Sequence, residues 1–399
     1  MGKYDLCIIG GAGHVGLPLG VAFANRGVST VLLDINETLL KKINSGIFPF
    51  KEKYGDRELK KALKRGTLHT SSDHKVISKS KMVLLVIGTP IDEYLNPDAH
   101  TLLEIIKMHL PYFLDGQVVI LRSTLYPGTS ERLQKVFDQS GKKIHVAFCP
   151  ERIVQGESLR ELLELPQIVS AFDKKTVRRV SELFKNIAPS IVVTEKPIEA
   201  ELAKLFSNSW RYIKFAVANQ FFMIADQYNL DYYRIHDAMV KDYARNKDLP
   251  RPGFTAGPCL FKDTMQLAAF NNNNFFLGHA AMLINEGMPN YILQKLKTRV
   301  GDTPIGIIGI LGMAFKADSD DARDSLSYKL RKIARAHARQ VLCHDVHIRD
   351  DSFIDIEELL KKSDVVILAA PHKEYGSIKM HEYPDTLFID IWNFWGTVA

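Results

Sequence analysis

The stretch from Tyr4 to Phe23 places the tightest limit on what this chain can fold into. Tyr4 to Ile9 is a short apolar run, Gly10-Gly11-Ala12-Gly13-His14-Val15-Gly16 follows, and apolar residues then recur at helical spacing through Leu17, Leu19, Val21 and Phe23. Strand, glycine turn and helix in that order are the setting a dinucleotide fingerprint requires. Here Gly11 is expected to permit the tight turn, Gly13 to let the backbone approach a pyrophosphate, and Gly16 to let the helix pack on the strand. The N–H groups at the helix start then face the anion. Gly11, Ala12, Gly13, His14, Val15 and Gly16 are the cofactor-binding candidates. A second strand, Val28 to Leu33, ends at Asp34. A carboxylate there hydrogen-bonds an adenosine ribose diol and repels a 2′-phosphate, so NAD is expected rather than NADP. The competing reading is a glycine-rich turn with no ligand.

Three further apolar runs each end in a polar cluster. Met82 to Ile87 leads to Gly88-Thr89-Pro90, Val118 to Leu121 to Arg122-Ser123-Thr124, and Ile144 to Phe148 to Cys149-Pro150-Glu151. In a parallel sheet those clusters fall along the carboxyl edge, where open α/β folds bind ligands. Thr89, Thr124 and Glu151 are therefore expected to face one crevice, although each alone reads equally as a turn or cap residue. The segment 44–57, with Gly46 and Pro49, lacks clear periodicity and is read as a flap.

A further apolar strand pattern starts at Ile305. It runs to Ile310, then Gly312-Met313-Ala314-Phe315-Lys316 and Asp320-Asp321-Ala322-Arg323, a helix from Ser325, and strands near Gln340 to Cys343, Val365 to Ala369 and Leu387 to Asp390. The order of elements repeats that at the start of the chain without the full fingerprint. This reads as a second nucleotide-fold unit that holds its ligand by side chains. Lys316 and Arg323 suit phosphate, and equally suit solvated surface charge.

Between the two units, no proline or glycine interrupts a helical pattern from Pro197 to about Tyr228, a length of about 45 Å. Lys204 and Asn208, four apart, share one face of it. The second half, with Phe215, Val217, Phe221, Phe222 and Ile224, is too apolar for a helix lying on a surface and is expected to be wedged between domains or subunits. After Tyr243-Ala244-Arg245 comes Arg251 to Thr264, which sets Cys259 between turn residues and a Lys262-Asp263 pair. A nearby ammonium or helix N-terminus makes such a thiol available as thiolate, and Asp263 is placed to act as a base for water. Taken alone, Cys259 also reads as a small buried hydrophobe.

A chain of 399 residues, 46% hydrophobic and 25% charged, has the composition of a globular protein of two or three domains. The expected boundaries are 1–195 (cofactor domain), 196–300 (helical domain with the cysteine loop) and 301–399 (second nucleotide-fold domain). The net charge of +6 suits a small anionic ligand and is too modest to argue for nucleic acid. The four cysteines lack the paired spacing of a zinc site, so no metal is expected. No apolar run reaches transmembrane length, and the expectation is a cytoplasmic protein that does not engage a membrane.

Taken together in order, seven motifs resemble the UDP-glucose/GDP-mannose dehydrogenase family: Gly-Ala-Gly-His-Val-Gly-Leu-Pro (11–18), Gly-Thr-Pro (88–90), Arg-Ser-Thr-Leu-Tyr-Pro-Gly-Thr (122–129), Cys-Pro-Glu-Arg (149–152), Glu-Ala-Glu-Leu-Ala-Lys-Leu-Phe-Ser-Asn (199–208), Gly-Pro-Cys-Leu-Phe-Lys-Asp (257–263) and Gly-Met-Ala-Phe-Lys-Ala-Asp-Ser-Asp-Asp-Ala-Arg (312–323). The resemblance implies two Rossmann-like doubly wound parallel-sheet domains joined by a long central helix and a helical middle domain. It implies four-electron oxidation of the C6 hydroxymethyl of a nucleotide sugar to a carboxylate with two NAD. Cys259 would be the nucleophile, Lys204 and Asn208 the oxyanion holders, Asp263 with Thr124 the residues that position or activate water, and Glu151 the carboxylate near the thioester. Thr89, Thr124 and Arg323 would join the cofactor-binding set. Glu151, Lys204, Asn208, Arg245, Gly257 and Lys316 would meet the sugar nucleotide, Arg245 from a neighbouring subunit, so a homodimer is implied. The wording Cys-Pro-Glu-Arg-Ile-Val-Gln-Gly (149–156) resembles members acting on UDP-N-acetylhexosamines such as UDP-N-acetylmannosamine more than those acting on UDP-glucose. The alternatives are a two-electron β-hydroxyacid dehydrogenase, which needs neither Cys259 nor a third domain, and a non-catalytic nucleotide binder, which has no use for a reactive thiol.

Overall fold

Every residue of the first strand but Asp5 is buried, which requires cover on both faces of its sheet. The computed structural model describes residues 2–88, 99–255, 257–301 and 303–396; Thr89 lies outside them. The chain divides into two compact units, Met1–Ser207 and Asn208–Ala399.

The first unit is built on β1 (Tyr4–Ile9), β2 (Thr30–Leu33), β3 (Leu68–Ser71), β4 (Ser80–Leu85), β5 (Val118–Leu121), β6 (His145–Phe148), β7 (Gln167–Ala171) and β8 (Ile191–Val193). Their order is β3-β2-β1-β4-β5-β6-β7-β8, and all neighbours are parallel except β6 with β7. Alternate side chains serve two layers. Leu6 and Ile8 join the core with Leu19 and Phe23 of the helix Gly16–Asn25, whereas Cys7 and Ile9 join the core on the other face with Ile106 and Phe113. The chain switches direction across the sheet between β1 and β4. Register aligns Leu33, Ile9, Leu85, Leu121 and Phe148 in one row. The loops that follow these five residues therefore leave from one edge, as the sequence pattern required.

The long helix is Pro197–Gln227, within a residue of its expected end. In the second unit the helices Tyr232–Val240, Leu260–Phe270 and Phe276–Val300 precede a four-stranded parallel sheet of β9 (Ile305–Leu311), β10 (Ala338–His344), β11 (Val365–Leu368) and β12 (Leu387–Ile389), ordered β10-β9-β11-β12. Ile308 and Ile310 of β9 pack against Met288, Ile292 and Leu296 of the helix Phe276–Val300, so the helices and the sheet share a core. Among the described residues no helix is long and apolar enough to cross a membrane.

Candidate active site

In the first unit the glycine turn departs from its expected division of labour. Gly10, at φ +78°, makes the tight turn, where a side chain would also meet the Val86 carbonyl oxygen at 2.8 Å. Gly11 is needed for packing instead, since a Cβ there would sit 2.7 Å from that of Leu32. A Cβ on Gly16 would sit 2.4 Å from the Gly10 carbonyl oxygen, which is why the helix can close on the strand. A Cβ on Gly13, by contrast, would meet only the Gly10 oxygen, at 3.5 Å, so the outer face of the turn is open to a ligand. Val15 at the N-cap of the helix Gly16–Asn25 supplies no side-chain acceptor, which leaves the helix start available to an anion. The Asp34 carboxylate accepts from Ala12 N–H at 2.9 Å and Asn36 N–H at 3.0 Å, which fixes it beside the turn. The arrangement fits a dinucleotide.

The segment 44–57 is anchored to this turn. The Phe50 ring lies 4.1 Å from that of His14, whose Nδ1 accepts from Gln155 Nε2 at 2.9 Å. Glu52 accepts from Leu159 N–H at 2.9 Å, and Lys53 N–H donates to the Gly156 oxygen at 3.0 Å. The 45–54 loop therefore joins the glycine turn to residues 155–159.

At the same sheet edge, Thr124 follows β5 and Glu151 follows β6. Glu151 is held by Arg122, whose Nε donates to its Oε2 at 2.6 Å and whose Nη2 forms an ion pair with the same oxygen. Its other oxygen accepts from Arg152 N–H at 2.7 Å and Ile153 N–H at 3.0 Å. Arg122 is 1% exposed and also donates to Gln167 at 2.8 Å; nothing in its own neighbourhood of the sequence had marked it as an organising residue. Lys204 is buried on the long helix. One turn earlier, buried Glu201 accepts from Gly128 N–H, Ser130 N–H and Ser130 Oγ, and so caps the helix Thr129–Gln139.

In the second unit Cys259 stands at the N-cap of the helix Leu260–Phe270, its carbonyl accepting from Asp263 N–H at 2.8 Å. It is exposed, whereas Cys7, Cys149 and Cys343 are buried. Burial pushes the Cys149 thiol up to about 12 and the Cys343 thiol to about 11, and raises Cys7 as well. Those three remain protonated at neutral pH. Asp263 is fully buried between Lys262 Nζ, 2.9 Å from Oδ1, and Asn208 Nδ2, 2.6 Å from Oδ2. Gly257, at φ +105°, packs so closely on Phe315 that a Cβ would lie 2.5 Å from the ring, and its N–H donates to the Asp324 oxygen at 3.3 Å. This brings the cysteine loop against the loop after β9. Arg323 of that loop forks onto Asp321 at 2.9 and 2.6 Å. The Asp321 hydrogen bond raises its pKa, and attraction to Cys259 adds to the rise. Lys316 lies over the Phe315 ring. Arg245 is exposed, in the short 3-10 turn Ala244–Asn246.

The structure thus brings together Cys259, Asp263, Asn208, Gly257 and Arg323 in one unit, and the glycine turn, Asp34, Thr124 and Glu151 along one sheet edge of the other. Comparison with known proteins matches residues 4–188 to the NAD binding domain of the UDP-glucose/GDP-mannose dehydrogenase family, 198–286 to its central domain and 309–397 to its UDP binding domain. The chain belongs to this family. It is accordingly an NAD-dependent dehydrogenase of nucleotide sugars. It is 29% identical over 381 residues to UDP-N-acetyl-D-mannosamine dehydrogenase of Pyrococcus horikoshii, covering 92% of this chain and 90% of that one. It is 26% identical over 422 residues to the enzyme of the same name from Yersinia pestis, covering 98% and 100%. The solved structure of the Pyrococcus horikoshii enzyme superposes with a TM-score of 0.90 at 28% identity, over 98% of this chain and 96% of that one. Membership of the family sets aside the β-hydroxyacid dehydrogenase reading.

Proposed function

We propose that this family member oxidises the C6 hydroxymethyl of UDP-N-acetylmannosamine to the carboxylate in two steps through Cys259. The observation that carries the reading is the one exposed thiol, set at a helix N-terminus within the field of Arg323 and one turn from the buried Asp263–Asn208–Lys262 group. The sugar is assigned from the relatives named for it and from the wording of residues 149–156. The boundaries 1–195, 196–300 and 301–399 go with this reading and are supported by the limits of the three family models.

NAD supplies the hydride acceptor, one molecule for each two-electron step. The chain's part is to hold the carbonyl between those steps. The Cys259 thiolate adds to the C6 aldehyde, and Lys204 and Asn208 stabilise the oxyanion of the thiohemiacetal. Asn208 gives one amide hydrogen to Asp263 and has a second for this role. Loss of the second hydride leaves a thioester, and water, positioned by Asp263 and Thr124 beside Glu151, releases the acid and returns the thiol. Lys316 is assigned to the nucleotide-sugar end and Arg323 to the cofactor. Thr89, outside the described residues, keeps its cofactor role by resemblance alone.

We also assign a homodimer. Trp210, Val217, Phe221 and Ile224 are exposed on the long helix and Tyr228 just past its end, and the spacings of seven, four and three gather the four helical residues into one apolar stripe. Arg245, exposed in its own chain, would then serve the partner's site.

The test is NADH formed per sugar across UDP-, GDP- and dTDP-hexoses, in wild type and Cys259→Ser. Two NADH per UDP-N-acetylmannosamine, and loss of turnover by at least about a thousandfold in the variant, are expected. One NADH per sugar removes the thioester route, and NAD binding without any oxidation makes the chain a binder.

A further inference from the structure

A cluster in the second unit takes no part in this chemistry. Asp318 in the loop after β9, His347 in the loop after β10 and His372 in the loop after β11 each offer one ligand atom, all within 4.8 Å of one another. The two imidazole rings meet edge to face with centroids 4.8 Å apart. Each has a carboxylate near its Nε2. His372 Nε2 lies 3.1 Å from Asp345 Oδ2, and both side chains are fully buried. That oxygen also accepts from Met313 N–H and Ala314 N–H, so it is an acceptor throughout and the proton of the pair sits on Nε2. His372 Nδ1 correspondingly presents its lone pair, now taken by Asp318 N–H at 2.9 Å. His347 Nε2 lies 3.6 Å from Glu374 Oε2, a buried oxygen with no hydrogen-bond partner. An imidazole whose outer nitrogen is directed at a carboxylate is the usual state of a metal ligand, because the carboxylate fixes the tautomer and strengthens the inner nitrogen as a donor.

We propose that Asp318, His347 and His372 bind a divalent transition ion, with Zn²⁺ as the probe, which ties the three loops together at the carboxyl edge of the second sheet. Two imidazoles and one carboxylate suit zinc, whereas magnesium and calcium take oxygen. Bonds of about 2.0–2.1 Å place tetrahedral ligands about 3.4 Å apart, so the three atoms close in by up to about 1.4 Å. The ion replaces Asp318 N–H at His372 Nδ1. The residue that moves is exposed Asp318, which stands in left-handed backbone at φ +55°, while buried His372 stays. Asp318 is two residues from Lys316, so an ion here holds a loop that the proposed reaction uses, but the site itself does not depend on that reaction.

The experiment is calorimetric titration of Zn²⁺ into the tag-free, chelator-treated full chain carrying Cys259→Ser, which removes the exposed thiol as a rival ligand. One ion per chain is expected. Added to that background, His347→Ala should weaken binding more than about 100-fold, and Glu374→Gln, which leaves the ligands in place, about 10- to 100-fold. Co²⁺ bound instead should give visible bands of a nitrogen and oxygen site with no sulfur charge-transfer band. Absence of Zn²⁺ binding, equal affinity in the Glu374→Gln protein, or a sulfur band each overturns the proposal. The Glu374→Gln arm keeps it testable should His347→Ala not fold.

Discussion

Asp263 does more to hold the shape of the cysteine site than the thiol does. Its carboxylate is wholly out of water and is balanced by the Lys262 ammonium and the Asn208 amide, while its N–H forms the first turn of the helix that Cys259 begins. An asparagine there keeps the volume and removes the charge. Its NH₂ group would then face one of the two donors, and Lys262, 15% exposed, would lose its anion. Removing one partner of a buried pair costs about 3 kcal/mol or more. Asp263→Asn should therefore lower the urea midpoint at constant m as well as turnover. An unchanged midpoint with lost turnover would mean that Asp263 acts on water alone and braces nothing. Arg122 and Glu151 form the comparable pair of the first unit, with the cation as the buried member.

The elements differ in how plainly the sequence announces them. β1 and β5 were legible because each is an apolar run buried on both faces, and the long helix because nothing interrupts it. β3, Leu-His-Thr-Ser, was not: it lies at the sheet's edge, pairs only with β2, and needs little apolar surface. β7 hides for another reason, since its polar Gln167 and Ser170 are buried, one on Arg122 and the other on the Thr194 carbonyl. Likewise, Arg122 has its acidic partner 29 positions away and its amide partner 45 away, so local spacing carries no trace of it. One element junction has a measurable pH signature. His109, at the end of the helix Ala99–His109, pairs its Nδ1 with the Ile105 oxygen at 2.6 Å and its Nε2 with His74 Nδ1 at 2.9 Å. Burial, and less so the nearby His74, lower its pKa below 6.5. The unfolded chain then takes up a proton there first as pH falls. The stabilisation is complete above about pH 6.5 and is lost progressively below it, down through the folded pKa. The melting temperature should drop between pH 7.5 and 5.5, and His109→Gln should drop less over that interval. An equal drop in both proteins would place the sensitivity elsewhere, with His69, also lowered by burial, next to be tried.

At the scale of the whole molecule, the long helix sets the question. Trp210, Val217, Phe221 and Ile224 are exposed along one stripe of it, with Tyr228 just past its end, and in the proposed homodimer a second copy of the chain would cover that stripe with an identical surface. The same pairing would let exposed Arg245 serve the partner's site. If each site takes Cys259 from one chain and Arg245 from the other, then Cys259→Ser and Arg245→Ala should each be nearly inactive alone and active when mixed. In a mixed dimer one site carries both substitutions and the other carries neither. With free subunit exchange, half the dimers are mixed, so about a quarter of all sites recover. Placing Phe221→Glu in both chains puts a charge into the stripe and should abolish the recovery while shifting sedimentation to the monomer. Recovery that survives Phe221→Glu would move the interface off this helix. An Arg245→Ala chain that is fully active alone would remove the shared site, leaving the dimer to be judged by sedimentation.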